Sequence, residues 1–309
     1  MPNGENALTR HAAIRVAAVL VLSSCATASA APALDVDAIA RAAGVTATAT
    51  PEGVVRVGWS RSDVPVAVDG ARLDPAAGLG SWAAFQVAPG GAMMMGDTVL
   101  YEDELRPALD AALASGLQVT AIHNHFVFDT PRVLFMHIGG QGDPAALAGS
   151  VKRVWDAVRS VRAKSAQPAS GFGGEQPAPG PLDTAALAAA IGAKATMQGS
   201  VVKFTIGREV RMHGVTSGAA MGVNTWAAFS GSDAHASVDG DVVMTAAEVQ
   251  PVLRALRNAG IDVVALHNHM LEEDPRLFFL HYWGKGAALE LALGVRAALD
   301  AQASVPAVQ

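Results

Sequence analysis

The sequence predicts an α+β protein built from two tandem, pseudo-symmetric domains, each a largely antiparallel sheet packed with helices. Three observations lead to this prediction: an internal repeat at a spacing of 144 residues, a Pro- and Gly-rich segment between the copies, and the same order of helical and extended patterns in each copy. The chain has 309 residues, of which 51% are hydrophobic, so each copy is large enough to bury a core.

The repeat is strongest around a block rich in histidine. Residues 123–142 match residues 267–286 at nine of twenty positions without a gap. At the same spacing, Trp-Ala-Ala-Phe occurs at 82–85 and again at 226–229, and a Gly-Asp pair occurs in both copies. A match of this quality indicates the duplication of one domain.

The limits of the copies follow from the repeat and from the segment between them. Residues 163–181 hold four prolines and four glycines, which is typical of a linker. We therefore predict copy one at 34–162 and copy two at 182–302.

Each copy is predicted to open with a short helix that ends at a glycine, 35–43 before Gly44 and 183–191 before Gly192. Extended segments follow in both copies. They cover 54–59, 82–87 and 92–100 in copy one, and 201–206, 225–229 and 236–244 in copy two.

The second half of each copy is predicted to be a helix, a hairpin and a closing helix. The first helix ends at Ser115 or at Asn258, and Thr245 with Glu248 has the spacing of a capping box. The hairpins pair 119–125 with 132–138 and 263–269 with 276–283, and the closing helices cover 143–161 and 287–301.

Six of the nine histidines lie on these hairpins, three in each copy. His123 and His125 are two residues apart, so their side chains point to one face of the strand. With the hairpin centred on residue 130, His137 is expected opposite His123, at a Cβ distance of about 5 Å. The equivalent residues of copy two are His267, His269 and His281.

Three neutral imidazoles with an open fourth position are the ligand set of a catalytic zinc site, and they also suit copper, nickel or iron. We therefore expect a divalent transition metal, zinc first, in each copy. The alternative is a neutral, hydrogen-bonded cluster that contacts a ligand without metal, because closely packed imidazoles lower one another's proton affinity. A third interpretation is one functional site and one relic.

Two known histidine patterns fit the block less well. The H-x-H-x-D-H pattern of metallo-β-lactamase-like hydrolases needs an Asp-His that both copies lack. A cupin needs a glutamate after H-x-H; copy two offers Glu272, whereas copy one has Phe128.

Other residues present in both copies are candidates for the chemistry around the histidines. Glu104 and Glu248 are candidates for a general base or a fourth ligand, and the alternative is a helix cap. Arg132 and Arg276 are candidates for binding an anionic substrate, and the alternative is an ion pair with acidic residues of the hairpin turn.

The Gly-Asp and Trp-Ala-Ala-Phe repeats carry weaker signals. Asp97 and Asp241 are open to two interpretations, a ligand or a residue at a β-bulge. Trp82 and Trp226 are expected in the core.

Residues 1–30 are predicted to be an export signal, because two arginines precede an apolar stretch at 16–22 that is too short to span a bilayer. Leu-Ser-Ser-Cys at 22–25 has the pattern of a lipobox and predicts a lipid anchor on Cys25, the sole cysteine. The alternative is a secretory signal cleaved after Ala30. Either signal predicts an exported protein, held in the cell envelope by a lipid or released as a secreted or periplasmic protein.

The charge balance limits the partners. The chain has 22 Lys and Arg against 28 Asp and Glu, a net charge of −6, and no basic run. Nucleic acid is therefore not expected as a partner, because phosphate binding needs a basic face. We expect a small-molecule or cell-wall ligand.

The block V-x-A-[IL]-H-N-H, followed by P-R-[VL]-x-F-x-H, resembles the LppY/LpqO family of bacterial envelope lipoproteins of unknown function. The similarity covers 34–302, and the histidine block is its most specific part. The resemblance implies an exported, lipid-anchored bacterial protein, in agreement with Cys25, and it implies no particular reaction.

From these observations we expect an exported envelope protein with a histidine triad in each copy that binds a divalent transition metal. As an enzyme it would be a metal-dependent hydrolase, with Glu104 or Glu248 as the base and Arg132 or Arg276 binding an anionic group. The alternative function is a non-catalytic envelope binding module whose histidines contact the ligand directly.

Overall fold

A computed structural model of the chain describes residues 33–306. The predicted export signal, the lipidation of Cys25 and the cleavage after Ala30 lie outside the described residues.

Within residues 33–164, copy one contains three α-helices and nine strands. The helices are α1 (Val36–Ala43), α2 (Leu105–Ala114) and α3 (Pro144–Lys164). The strands are β1 (Ala47–Ala49), β2 (Val55–Ser60), β3 (Ala67–Val68), β4 (Ala71–Arg72), β5 (Gly80–Ala88), β6 (Gly91–Tyr101), β7 (Gln118–Asn124), β8 (Asp129–Thr130) and β9 (Val133–Gly142).

Copy two repeats the same order of elements within residues 184–303. Its helices are α4 (Thr184–Ile191), α5 (Ala246–Asn258) and α6 (Ala288–Ala303). Its strands are β10 (Ala195–Gln198), β11 (Val201–Gly207), β12 (Val210–Met212), β13 (Val215–Ser217), β14 (Asn224–Gly231), β15 (Ala236–Thr245), β16 (Asp262–His267), β17 (Glu273–Asp274) and β18 (Leu277–Gly286). The predicted α+β class with two tandem copies is confirmed.

The first helix of each copy begins and ends where the sequence predicts. Asp35 caps α1, since its carboxylate accepts a hydrogen bond from the backbone N–H of Ala38 at 2.9 Å. Gly44 then ends the helix with a left-handed φ of 68°. Asp183 and Gly192 do the same for α4, the latter with φ 73°.

One antiparallel sheet of twelve strands runs through both copies, in the order β1-β2-β5-β6-β9-β7-β16-β18-β15-β14-β11-β10. The copies join edge to edge, where β7 pairs antiparallel with β16 and Ile122 lies opposite Leu266. Because equivalent strands meet at this seam, an approximate two-fold axis relates the copies. Two small sheets, β4-β3-β8 and β13-β12-β17, complete the strand pairing.

The helices cover one face of the large sheet. A single hydrophobic core lies beneath them and takes residues from both copies, including Ile122, Met136, Leu266 and Leu280. The seam is closed by side chains as well as by the strand pair, since the Gln250 amide bonds both the N–H and the carbonyl of Val119, at 3.1 and 2.7 Å.

The other face of the sheet is only partly covered. Each copy has one small sheet, β4-β3-β8 or β13-β12-β17, and one small hydrophobic cluster. The cluster of copy one includes Phe135, and that of copy two includes Phe279. The histidines lie on the open part of this face. Within residues 33–306, the helices are all too short or too polar to cross a membrane.

Candidate functional site

The hairpin register differs from the prediction by two residues. His123 lies opposite Phe135, not His137, and His137 lies opposite Ala121. The strands separate at His125, whose N–H donates to the carbonyl of Val133 at 3.2 Å, so the loop is centred on residue 129. The loop bends away at 129–130 to pair with β3, which a symmetric turn would not allow. A two-residue shift keeps every side chain on the same face, so the predicted grouping of the histidines survives.

Both histidine clusters lie on the same face of the sheet. Ile122 and Leu266 are paired across the seam and both enter the core under the helices. His123 and His267 each follow one residue later, so their side chains point to the opposite, open face. The clusters therefore lie side by side across the seam.

In copy one, two imidazoles meet through their Nε2 atoms. His123 Nε2 lies 2.8 Å from His137 Nε2, and His123 Nδ1 lies 2.8 Å from the carbonyl oxygen of Asn124. With Nδ1–H donating to that carbonyl, His123 presents the lone pair of Nε2 to its neighbour. The third ring, His125, stacks on Phe135 with centroids 3.9 Å apart.

In copy two, a different pair of the triad is in contact. His267 Nε2 lies 3.2 Å from His269 Nε2, and the His269 ring stacks on Phe279 at 3.5 Å. The His281 ring stacks against His267 with centroids 4.9 Å apart. Taken together, the two copies bring the central histidine of the triad, His123 or His267, against each of its two partners.

An aspartate adjoins each cluster. Asp97 lies opposite His137, and Asp241 lies opposite His281. Asp97 Oδ1 is 3.7 Å from His137 Nδ1, and this buried oxygen has no hydrogen-bond donor among residues 33–306. Asp241 Oδ2 is 3.8 Å from His269 Nε2. The Gly-Asp pair present in both copies was the sequence signal for these residues. Their position beside the histidines follows only from the register of the paired strands.

Burial disfavours the charged form of five groups in the two clusters. Burial raises the pKa of Asp97 and of Asp241, although the neighbouring histidines oppose the shift. Burial also lowers the pKa of His125, His267 and His269, and neighbouring histidines lower it further. The direction of these three shifts favours the neutral imidazole, which is the protonation state that metal binding requires.

The fit of a metal to these residues is partial. No group of three or more His, Cys, Asp or Glu side chains within residues 33–306 is arranged to hold a metal ion. The nitrogen pairs, at 2.8 and 3.2 Å, are close to the separation of about 3.0–3.4 Å between two nitrogens that share one ion at bonds of 2.0–2.1 Å. Completing a triad requires the third ring to rotate toward the pair.

Glu104 lies in a buried ion pair away from the histidine pair. Its carboxylate accepts two hydrogen bonds from Arg61, both at 2.8 Å, and a third from the backbone N–H of Tyr101 at 2.8 Å. Arg162 Nε lies 2.8 Å from the same carboxylate. Arg61 and Glu104 are fully buried, so the carboxylate anchors the start of α2.

Glu248 repeats this arrangement in a more open setting. It accepts hydrogen bonds from Arg208 at 3.0 Å and from the N–H of Thr245 at 2.8 Å, which confirms the predicted capping-box contact. Burial acts to raise the pKa of Glu248, but the bonds from Arg208 and Gln302 outweigh it and leave the pKa below its ordinary value. Glu248 lines a cleft whose lining does not include the histidines.

The two candidate arginines are exposed. Arg132 Nε lies 3.8 Å from Glu102, and Arg276 Nε lies 3.2 Å from Glu273. The Arg276–Glu273 contact is the ion pair within the hairpin turn that the sequence analysis gave as an alternative. The partner of Arg132 lies elsewhere, at the start of a short 3₁₀ helix, Glu102–Glu104.

Trp82 and Trp226 do not lie in the core, in contrast to the prediction. Each lies opposite the cluster aspartate, Asp97 or Asp241, and is half-buried on the open face. A cation covers each ring: the Arg56 guanidinium lies 4.7 Å from the Trp82 centroid, and the Lys203 ammonium lies 4.7 Å from that of Trp226. The cluster aspartates in turn pair with His137 and His281, so the strand pairing puts both indoles on the face that carries the histidines, which local sequence does not reveal.

A family model described as Domain of Unknown Function (DUF1259) matches twice, at residues 37–157 and 185–301. No curated protein matches the sequence. Among solved structures, a trimeric bacterial microcompartment shell protein PduB is similar over 82% of this chain and 89% of its own, at 11% identity and a TM-score of 0.21. A TM-score this low supports no conclusion.

Proposed function

This chain belongs to the DUF1259 family, and we propose that each of its two copies of the domain binds one divalent transition metal, zinc first, through its histidine triad. The ligands are His123, His125 and His137 in copy one, and His267, His269 and His281 in copy two. We further propose that the protein is an LppY/LpqO-type envelope lipoprotein anchored through Cys25.

The observation that carries the metal proposal is the convergence of imidazole Nε2 atoms in both copies. Two imidazole Nε2 atoms at 2.8 Å need a proton or a cation between them, and His123 already uses Nδ1–H on a carbonyl. With a proton there, a neutral His137 would donate from Nε2 and turn a bare Nδ1 toward the Asp97 carboxylate. A metal held by the two imidazoles would instead let His137 keep its proton on Nδ1, facing Asp97.

A hydrolase built on this site is the enzymatic form of the proposal. A bound divalent ion would supply Lewis-acid chemistry. Since Glu104 and Glu248 are held by guanidinium groups, we assign the carboxylate that accepts a proton beside the histidines to Asp97 and Asp241. Arg132 and Arg276 directly precede the strands of His137 and His281, and are proposed to contact an anionic substrate.

A second candidate function is favoured by the tryptophans. Trp82 and Trp226 present their rings on the same open face as the histidines, in line with the cluster aspartates. Aromatic rings beside hydrogen-bonding side chains suit a cell-wall ligand that needs no metal. Binding of soluble peptidoglycan fragments in the presence of EDTA, lost in Trp82→Ala and Trp226→Ala, would favour this function.

Metal content tests the first proposal. Purified protein equilibrated with zinc and dialysed should retain about two zinc ions per chain by elemental mass spectrometry. His123→Ala and His267→Ala should each lose one ion, and the double variant both.

His213→Ala and His235→Ala are the matched controls, because these histidines lie outside the clusters, near Glu272 and Glu175 respectively. They should retain both ions. Protein that holds no metal, or that keeps its full content after the cluster substitutions, would exclude the proposed sites.

A further inference from the structure

Copy two contains a cleft of about 980 Å³ between the end of β11, the start of α5 and the end of α6. Its walls are mainly apolar, with Ile206, Val243, Leu299 and Val305 among them. A volume of this size is at the upper end of the range for small-molecule sites. The Arg208–Glu248 ion pair forms part of the lining, and the histidines do not.

Copy one fills the equivalent space with its own side chains. Trp59 occupies the position of Ile206, since each pairs with the equivalent residue of the next strand, Ser81 or Thr225. At the repeat spacing, Trp155 occupies the position of Leu299. The two indoles lie 6.0 Å apart.

Two arginines complete the filling of copy one. Arg159 covers Trp59 at 4.4 Å, and Arg162 reaches Glu104. Copy two has Ala303 and Pro306 at these positions. The space that is left in copy one is about 310 Å³, roughly a third of the cleft in copy two. The two copies therefore differ in volume here because four large residues of copy one are replaced by smaller ones in copy two. The Arg–Glu ion pair at the base of this space is present in both copies.

The polar groups of the cleft favour a negative ligand. Its lining includes three guanidinium groups, of Arg208, Arg276 and Arg296, against the single carboxylate of Glu248. All three arginines keep some exposure, since the Arg208 side chain is 27% exposed, Arg296 33% and Arg276 53%. Asp300 and Glu273 pair with two of them from outside the lining.

We infer that this cleft binds an amphipathic anion, with an aliphatic body against the apolar walls and a carboxylate among the three arginines. The site belongs to copy two alone. Its lining shares Arg276 with the proposed hydrolase site but includes no histidine, so binding measured in EDTA does not depend on the metal proposal.

Isothermal titration calorimetry with dodecanoate tests the inference. The titration is done in the presence of EDTA and below the critical micelle concentration of dodecanoate. We expect saturable binding of one dodecanoate per chain, and binding of uncharged dodecanol at least about tenfold weaker. Ile206→Trp with Leu299→Trp, which copies the filling of copy one, should weaken dodecanoate binding by at least about tenfold. The variant with His123→Ala and His267→Ala should bind as well as the unmodified protein.

A second variant covers the case in which the tryptophans prevent folding. Ala303→Glu places a carboxylate in the lining without enlarging the core, and should weaken binding several-fold by charge repulsion. Leu289→Glu is its control, because Leu289 is exposed on the same helix about 21 Å away. Absence of dodecanoate binding, a stoichiometry of two, equal binding of dodecanol, or an unchanged affinity in Ala303→Glu would each overturn the inference.

Discussion

At the residue scale, the duplication has kept one ion pair and changed its surroundings. Arg61–Glu104 and Arg208–Glu248 both join the end of an early strand to the first turn of the middle helix. In copy one both side chains are fully buried, whereas in copy two 27% and 11% of the side chains are exposed. Because water screens a charge that it can reach, the same bond is expected to contribute differently in the two copies.

Replacing each glutamate by glutamine tests this difference. Glu104→Gln leaves Arg61 buried with Asp63 as its remaining carboxylate, so the free energy of unfolding should fall by about 3 kcal/mol. Glu248→Gln should cost about 1 kcal/mol, because solvent reaches Arg208. Urea denaturation at neutral pH measures both, and an equal or larger loss in Glu248→Gln would contradict the argument.

At the element scale, the long elements could be predicted from sequence and the short ones could not. The ten predicted extended segments, at 54–59, 82–87, 92–100, 119–125 and 132–138 and at the equivalent places of copy two, became β2, β5, β6, β7, β9 and their counterparts. The strands β3, β4, β8 and β17 are two residues long, so they have no period to detect. The strands β8 and β17 are held by pairing with the distant strands β3 and β12, which local sequence does not encode.

The site was predictable to the same extent. A register shift of two residues keeps His123 and His137 on one face, so the grouping predicted from sequence survived the difference in register. The register itself depends on where the loop closes, and the contact of Asp97 with His137 depends on the pairing of β6 with β9. The cleft of copy two depends on side-chain volumes in three separate elements, and only their packing reveals it.

A glycine in the middle of β15 allows a close approach that no other residue permits. A Cβ at Gly240 would lie 2.1 Å from the Tyr282 hydroxyl and 2.5 Å from the carbonyl oxygen of Trp226. That hydroxyl is buried and donates to the same carbonyl at 3.2 Å, so it has no room to move. Gly240→Ala should therefore lower the free energy of unfolding by about 2–3 kcal/mol.

Gly58→Ala is the control for this substitution. Gly58 also lies within a strand, but the nearest atom to its Cβ would be the Ser81 carbonyl oxygen at 3.6 Å, an ordinary contact. Its unfolding free energy should change by less than about 0.5 kcal/mol. Equal denaturation midpoints for Gly240→Ala and Gly58→Ala would contradict the prediction and would show that Tyr282 can move aside.

At the scale of the whole molecule, the two copies share one sheet and one core. Extending the β7–β16 pairing by one residue places Ala121 opposite His267, while His137 lies opposite Ala121 from the other side. His137 and His267 are therefore two strand spacings apart, about 10 Å. The two clusters thus form one continuous histidine-lined surface whose geometry depends on the seam.

The seam also predicts how the protein unfolds. Asp262, in copy two, accepts hydrogen bonds from Arg106 of copy one at 2.7 Å and from Arg257 at 2.9 Å, and Arg257 in turn bonds Asp110 of copy one at 2.8 Å. Separation of the copies would expose the β7 and β16 edges and part of the shared core to water, so neither copy is expected to persist without the other. Calorimetry should show one transition with equal calorimetric and van't Hoff enthalpies.

Asp262→Ala should lower the temperature of that single transition by several degrees, because it leaves two arginines without their shared partner at a buried position. Asp300→Ala, which removes an exposed i,i+4 pair with Arg296 within one helix, should change it by about 1 °C or less. Two resolved transitions in the unmodified protein, or a seam substitution that shifts only part of the heat absorption, would mean that the copies fold as independent domains despite their common sheet.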